Sequence, residues 1–194
     1  MPPAGDVLTR NQAASLLGLS PNTVTKLLNS DFLPDLRASR VLALSRAPQV
    51  TVTTGYLPVL RTAAAAPPAD PAEDPRPFLG DSATISDLEF LEANRMWWRC
   101  DAERIVQAGV LAIAVAGWVT GVLSIHARED SRVGRTEIRH SFKAEVAGRV
   151  GLLDDPNSYR VLATDPALAT LTGQLLGARV QAAVSGGPIA YLEP

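Results

Sequence analysis

The chain has 194 residues, an apolar fraction of 46% and a formal net charge of −2. That is enough to bury a core as one or two domains, and too little charge for the whole chain to act as a field that draws in polyanions. Cys100 is the single cysteine, which excludes an intrachain disulfide and argues against a thiolate metal site.

The first residues, MPPAGDV, have neither the basic segment nor the apolar run of a signal peptide, which together with the lone cysteine favours a cytoplasmic setting. Arginine far outnumbers lysine and alanine is abundant, a composition associated with GC-rich bacterial or phage genomes. Charge is unevenly spread. Residues 1–62 carry an excess of basic groups, residues 63–90 hold six acids against Arg76 alone, and the remainder balances. A locally basic first stretch suits phosphate binding.

The most specific local pattern is Leu8 to Leu28, LTRNQAASLLGLSPNTVTKLL. Its spacing predicts two short helices joined by a tight turn. Thr9 nucleates the first, which carries Ala13, Ala14, Leu16 and Leu17 on one face. Gly18-Leu19 turns the chain, Ser20 stands at the N-cap and Pro21 at the first helical position, and Val24, Leu27 and Leu28 form the next apolar face. A small residue at 14, a glycine at 18 and apolar residues at 24 and 27 are what a helix-turn-helix requires. The small residue lets the helices approach, the glycine takes the left-handed turn, and the last two fill the angle between them.

In such a motif the second helix lies in the major groove with its N-terminal half toward base edges. Ser20, Asn22, Thr23, Thr25 and Lys26 point outward there. Asn22 suits bidentate bonding to adenine, and the methyl groups of Thr23 and Thr25 suit thymine. Arg10, Lys26, Arg37 and Arg40 are candidates for phosphate contacts. The plainer reading makes Ser20 and Thr23 helix caps and Lys26 an ordinary solvated charge.

Asp35 to Leu44, DLRASRVLAL, is expected as two short extended pieces around Ala38-Ser39, a wing with Arg37 and Arg40 near its tip. Ser45 would then cap a short helix from Arg46 to Val50. Through AASLLGLSPNTVTKLL, FLPDLRASR and SRAPQV, this first stretch resembles the MerR and excisionase superfamily of winged helix-turn-helix domains. The resemblance implies a DNA-reading head. The wing of that family is usually rich in arginine, whereas Arg37 and Arg40 alone stand here, so its grip on phosphate is thin. No counterpart of the family's effector-binding or coiled-coil extensions follows.

Val50 to Val59 alternates as one or two strands that close the first domain. Ala63 to Pro77, AAAAPPADPAEDPRP, has nothing to bury and reads as a semi-stiff, disordered linker. Beyond it, Ser86 or Asp87 caps a helix running to Trp97, and Asp101 caps another that ends at Gly109. Val110–Ala116, Trp118–Ile125, Thr136–Val146 and Tyr159–Ala163 read as strands. A helix from Asp165 or Pro166 to Leu176 is followed by strands at Val180–Val184 and Ile189–Leu192.

Residues 105–125 carry no charge and are long enough to cross a bilayer. Gly109, Gly117, Thr120, Gly121 and Ser124 dilute the run, both flanks are basic, and Ala116-Gly117-Trp118 sits midway as a hairpin turn would. No membrane anchor is expected. Trp97-Trp98-Arg99 suits unstacked bases, although one Trp in the core and one over a neighbouring strand is the simpler reading. Arg128 to Arg149 is basic but interrupted by acids, and reads as a solvated face. Catalysis finds no motif: His126 and His140 lack metal spacing, Asp154-Asp155-Pro156 reads as a turn, and neither a nucleophile elbow nor a phosphate loop occurs.

The expectation is an α+β protein: a winged helix-turn-helix domain at 1–62, a linker at 63–77, and an α+β domain at 78–194 with a mostly antiparallel, barrel-like sheet. Its function would be sequence-specific binding of double-stranded DNA as a bacterial or phage transcriptional regulator without cofactor, metal or catalytic residues, the second domain serving to form a homodimer, to contact DNA further along or to sense a ligand. The competing readings are an excisionase-like architectural protein that bends DNA for recombination, and a nucleic-acid or ligand module whose second domain carries the main activity.

Overall fold

The computed structural model describes residues 5–72, 74–133, 137–181 and 187–194. It opens with α1 (Arg10–Leu17) and α2 (Pro21–Asn29), each started by the residue expected to cap it. Thr9 and Gln12 form a capping box, each side chain accepting from the other's backbone N–H. Gly18 takes φ +64° and donates back to Ala14, which frees the chain to turn. Ser20 then caps α2 and Pro21 occupies its first position. Ala13, Ala14, Leu17, Val24 and Leu27 are buried between the two helices and the one that follows.

That next helix corrects an expectation. Most of Asp35–Leu44, expected as an extended wing, forms α3 (Ala38–Ser45), so Ser45 ends a helix instead of starting one at Arg46. Ala38, Val41 and Leu44 recur every three residues and are all buried, the period of one helical face. Asp35 accepts from the Arg37 backbone N–H at 3.0 Å and redirects the chain into the helix.

The rest is a curled half-barrel sheet with further helices on its faces. Its strands are β1 (Leu57–Thr62), β2 (Met96–Trp98), β3 (Val110–Val115), β4 (Trp118–Val133), β5 (Ile138–Arg149), β6 (Arg160–Val161) and β7 (Ile189–Leu192), in the spatial order β2-β5-β4-β3-β1-β7. β6 shares the edge of β5 with β2. Only β1 and β3 run parallel; the other pairings are antiparallel. Of Val50–Val59, expected as strands closing the first domain, residues 57–59 belong to β1, which lies in this sheet between β3 and β7. Within the stretch expected as a linker, Ala66 bridges Leu79 and the Arg76 side chain is buried.

The helices of this region are α4 (Asp87–Asn94), α5 (Ala102–Ala108) and α6 (Pro166–Leu175). Ser86, Asp101 and Asp165 cap them as the sequence indicates. α4 stops three residues short of Trp97, because Met96–Trp98 leaves to pair with β5. The expected strand at 180–184 falls largely outside the described residues.

Both faces of the sheet are covered. Along β3, Val110, Ala112 and Ala114 join the core that also contains Leu17, Val24, Leu27 and Val41, while Leu111 and Ile113 join Phe90, Ile105 and Phe142 on the other side. Strands buried on both faces read as continuous apolar runs, which is why residues 105–125 resemble a membrane span. They fold as the end of α5, then β3, then a turn at Ala116 (φ +53°) and Gly117 (φ +95°), then β4. No helix among the described residues is long and apolar enough to cross a membrane.

Candidate nucleic-acid interface

The outward side of α2 is set by what its inward side buries. Val24 and Leu27 are fully enclosed, so residues 22, 26 and 29 face away from the core. Asn22, Lys26 and Asn29 are exposed, while Thr23 and Thr25 are half-buried. The hydroxyls sort differently from the amide and the amine. Ser20 Oγ and Thr23 Oγ1 share a hydrogen bond at 2.9 Å, and Ser20 Oγ also accepts from the Thr23 backbone N–H at 3.2 Å. Thr25 Oγ1 donates to the Pro21 carbonyl at 3.1 Å. These three hydroxyls therefore serve the helix first, leaving the threonine methyl groups as apolar contacts. The side chains of Asn22 and Lys26 make no hydrogen bond or ion pair among the described residues.

The four cationic candidates divide in the same way. Arg10 is exposed at the start of α1 and has no ionic partner among the described residues. Arg37 is exposed but pairs with Asp35 at 3.5 Å. Arg40 is held inward by two acids, Asp154 at 2.6 Å and Asp35 at 3.3 Å, and its side chain is 24% exposed. A guanidinium between two carboxylates has little positive potential to offer a phosphate. Arg46, the residue that ends α3, is a further cation that the sequence pattern does not single out. It is exposed and without an ionic partner among the described residues; recognising it needs the position of α3, which the wing reading misplaces.

The α1–α2 pair is fixed to the sheet by contacts that leave the outer side of α2 open. Arg179 Nη2 donates to the Leu17 carbonyl at 2.7 Å, at the end of α1 just before the turn. The Arg179 backbone takes part in two further bonds, its N–H donating to the Pro48 carbonyl at 2.7 Å and its carbonyl accepting from Val50 N–H at 2.8 Å. Leu153 N–H donates to Phe32 and Ala83 N–H to Ser30. The Arg179 guanidinium also lies 5.0 Å from the Trp118 ring centroid. Helix α2 thus rests on a core continuous with one face of the sheet.

The basic stretch 128–149 is not a single solvated face. Arg149 is buried with its side chain 3% exposed and pairs with Asp81 at 2.7 Å. Arg132 lies over the Trp97 ring, and Arg139 pairs with Glu137. Arg135 is outside the described residues. No group of histidine, cysteine and carboxylate side chains that could hold a metal ion occurs among the described residues. No family model, curated protein or solved structure matches this chain.

Proposed function

We propose that this chain is a sequence-specific double-stranded DNA-binding protein that acts as a transcriptional regulator of bacterial or phage type. The reading head is the α1–turn–α2 pair, without the basic wing at 35–44. One observation carries the reading: α2 presents Asn22 and Lys26 outward and unpartnered, on a helix whose own hydroxyls are spent on capping. In the groove, Asn22 reads adenine, the Thr23 and Thr25 methyl groups meet thymine, and Arg10, Lys26 and Arg46 hold phosphates.

Three such cations give a salt dependence of only about −3 in log K against log[salt], from roughly 0.9 per phosphate contact. Affinity from a single head is therefore weak at physiological salt. The protein acts as a homodimer that sets two α2 helices about 34 Å apart, one turn of the duplex. The test is selection of bound duplexes from a random-sequence pool with the full chain. The expected result is an inverted repeat, bound at least about tenfold more weakly by Asn22→Ala plus Lys26→Ala. Recovery of unrelated sequences, or an unchanged affinity in the double variant, overturns the reading.

A further inference from the structure

A cavity of about 530 Å³ lies beside β2, lined by Trp97, Trp98, Leu79 and Pro188 together with arginine side chains. Its size lies in the range of small-molecule sites, about 300–1,000 Å³. Three separate irregularities meet at Trp97. Its φ is +64°, a left-handed conformation that is uncommon for a bulky residue and costs energy to hold. The register of β2 on β5 shifts between Met96 and Trp98, so Trp97 is bulged out of the ladder, a device that re-aims a side chain. Its indole Nε1 is buried without a hydrogen-bond partner among the described residues, although buried polar groups are almost always paired. Trp118, fully buried in the core, also leaves its Nε1 unpartnered, so the positive φ and the bulge are what set Trp97 apart.

Charge at the cavity is also uneven. Glu137 takes Arg99 at 3.1 Å through one oxygen and Arg139 at 2.9 Å through the other, so two guanidiniums share one carboxylate. Both are well exposed, with side chains 64% and 50% accessible. Arg99 uses only Nη1 and Arg139 only Nε and Nη2, which leaves N–H donors on each free among the described residues. Arg76, by contrast, is buried, paired with Asp74 at 2.5 Å, and donates to the Met96 carbonyl at 2.6 Å. The lining therefore keeps one uncompensated positive charge, on the exposed pair, beside an aromatic and apolar wall.

We propose that this cavity binds a small planar aromatic anion, its ring against the Trp97–Trp98 wall and its anionic group on Arg99 and Arg139. The guanidinium fork matches carboxylate and phosphate oxygens alike, and the tryptophans supply apolar contact, each already carrying a guanidinium on one face, Arg132 on Trp97 and Arg76 on Trp98. The site stands independently of DNA binding. The full-length protein, with its tryptophan indole N–H groups isotope-labelled for NMR, is titrated with salicylate, an aromatic carboxylate, with adenosine monophosphate, an aromatic phosphate, and with benzyl alcohol, an uncharged ring. The expected result is a saturable shift of two indole resonances by at least one anion, with the fully buried Trp118 unmoved and benzyl alcohol much weaker. A response to salicylate alone assigns a carboxylate ligand, and a response to the nucleotide alone assigns a phosphate. Arg99→Gln plus Arg139→Gln, both at exposed positions, should weaken binding about tenfold while the thermal melt stays in place. No saturable shift with either anion at millimolar concentration, equal binding of benzyl alcohol, or unchanged affinity in the folded double variant overturns the proposal.

Discussion

The α1–α2 pair and the sheet behind it satisfy their polar groups over very different distances along the chain. In the pair, Thr9 bonds Gln12, Gly18 bonds Ala14 and Ser20 bonds Thr23, all near neighbours. Behind it, Arg149 reaches back to Asp81, Ser82 and Ile85, and Arg179 reaches back to Leu17. Local closure leaves the outward side chains of α2 free to be chosen for something other than folding. Long-range closure makes a few buried groups answerable for the whole body, so substitutions in the two regions should differ sharply in cost.

The largest effect is expected at Arg149→Met. It removes a guanidinium that bonds Asp81 at 2.7 Å and three backbone carbonyls, and that packs over the Phe90 ring at 4.4 Å. Removing one member of such a buried pair costs about 3–5 kcal/mol, measurable by urea unfolding. Asp81→Asn likewise leaves the buried Arg149 guanidinium without its carboxylate and should also destabilise, although burial pushes the Asp81 carboxyl up from 3.8 to about 6 against the pull of Arg149 and Thr120.

Next is Gly121→Ala. An added Cβ at this position in β4 would run into the Phe90 ring, and overpacking of that kind costs about 1–3 kcal/mol. A melt unchanged by Gly121→Ala would show that the α4 side of the core yields easily.

The pH dependence sharpens the same contrast. Between pH 3.8 and 6 the folded chain holds the Asp81 proton while the unfolded chain releases it. This group therefore favours the folded state at the acid end of that window, and the contribution is lost as pH rises through about 6. Asp74 and Asp87 act in the opposite sense, since Arg76 and Arg160 hold their carboxyls low and what they contribute fades as the pH falls. Across that window, the melting temperature of the parent relative to Asp81→Asn should fall as pH rises.

In the α1–α2 pair, Ser20→Ala removes the α2 cap and should cost about 1 kcal/mol by thermal melt. The smallest effect belongs to Asn22→Ala plus Lys26→Ala, which should shift stability by less than about 0.5 kcal/mol while changing DNA binding. A large loss of stability there would mean that the outward face of α2 serves the fold after all.

The same difference in distance decides what could be read from the residues. Thr9, Ser20, Ser86, Asp101 and Asp165 mark helix starts within four residues of the groups they satisfy, so those starts are visible in the sequence. Exposure of Asn22 and Lys26 follows from helical spacing once Val24 and Leu27 are inside. The α3 helix was obscured because Arg37 and Arg40 suggested a basic loop, and its three-residue apolar period is short. The capture of Arg40 by Asp154 is hidden by a separation of 114 positions along the chain. Nothing near Trp97 in the chain signals its bulge, which depends on the partners Ser141 and His140 across the ladder.

The sequence by itself determined the α1–turn–α2 geometry, the caps of the later helices and the hairpin at Ala116-Gly117, because each is settled by neighbours along the chain. Tertiary structure alone decided that β1 lies between β3 and β7, that Arg40 faces acids and that Trp97 leaves the ladder beside a cavity. Those outcomes depend on which distant residues share one core and one charge network, and chain order does not encode that proximity locally.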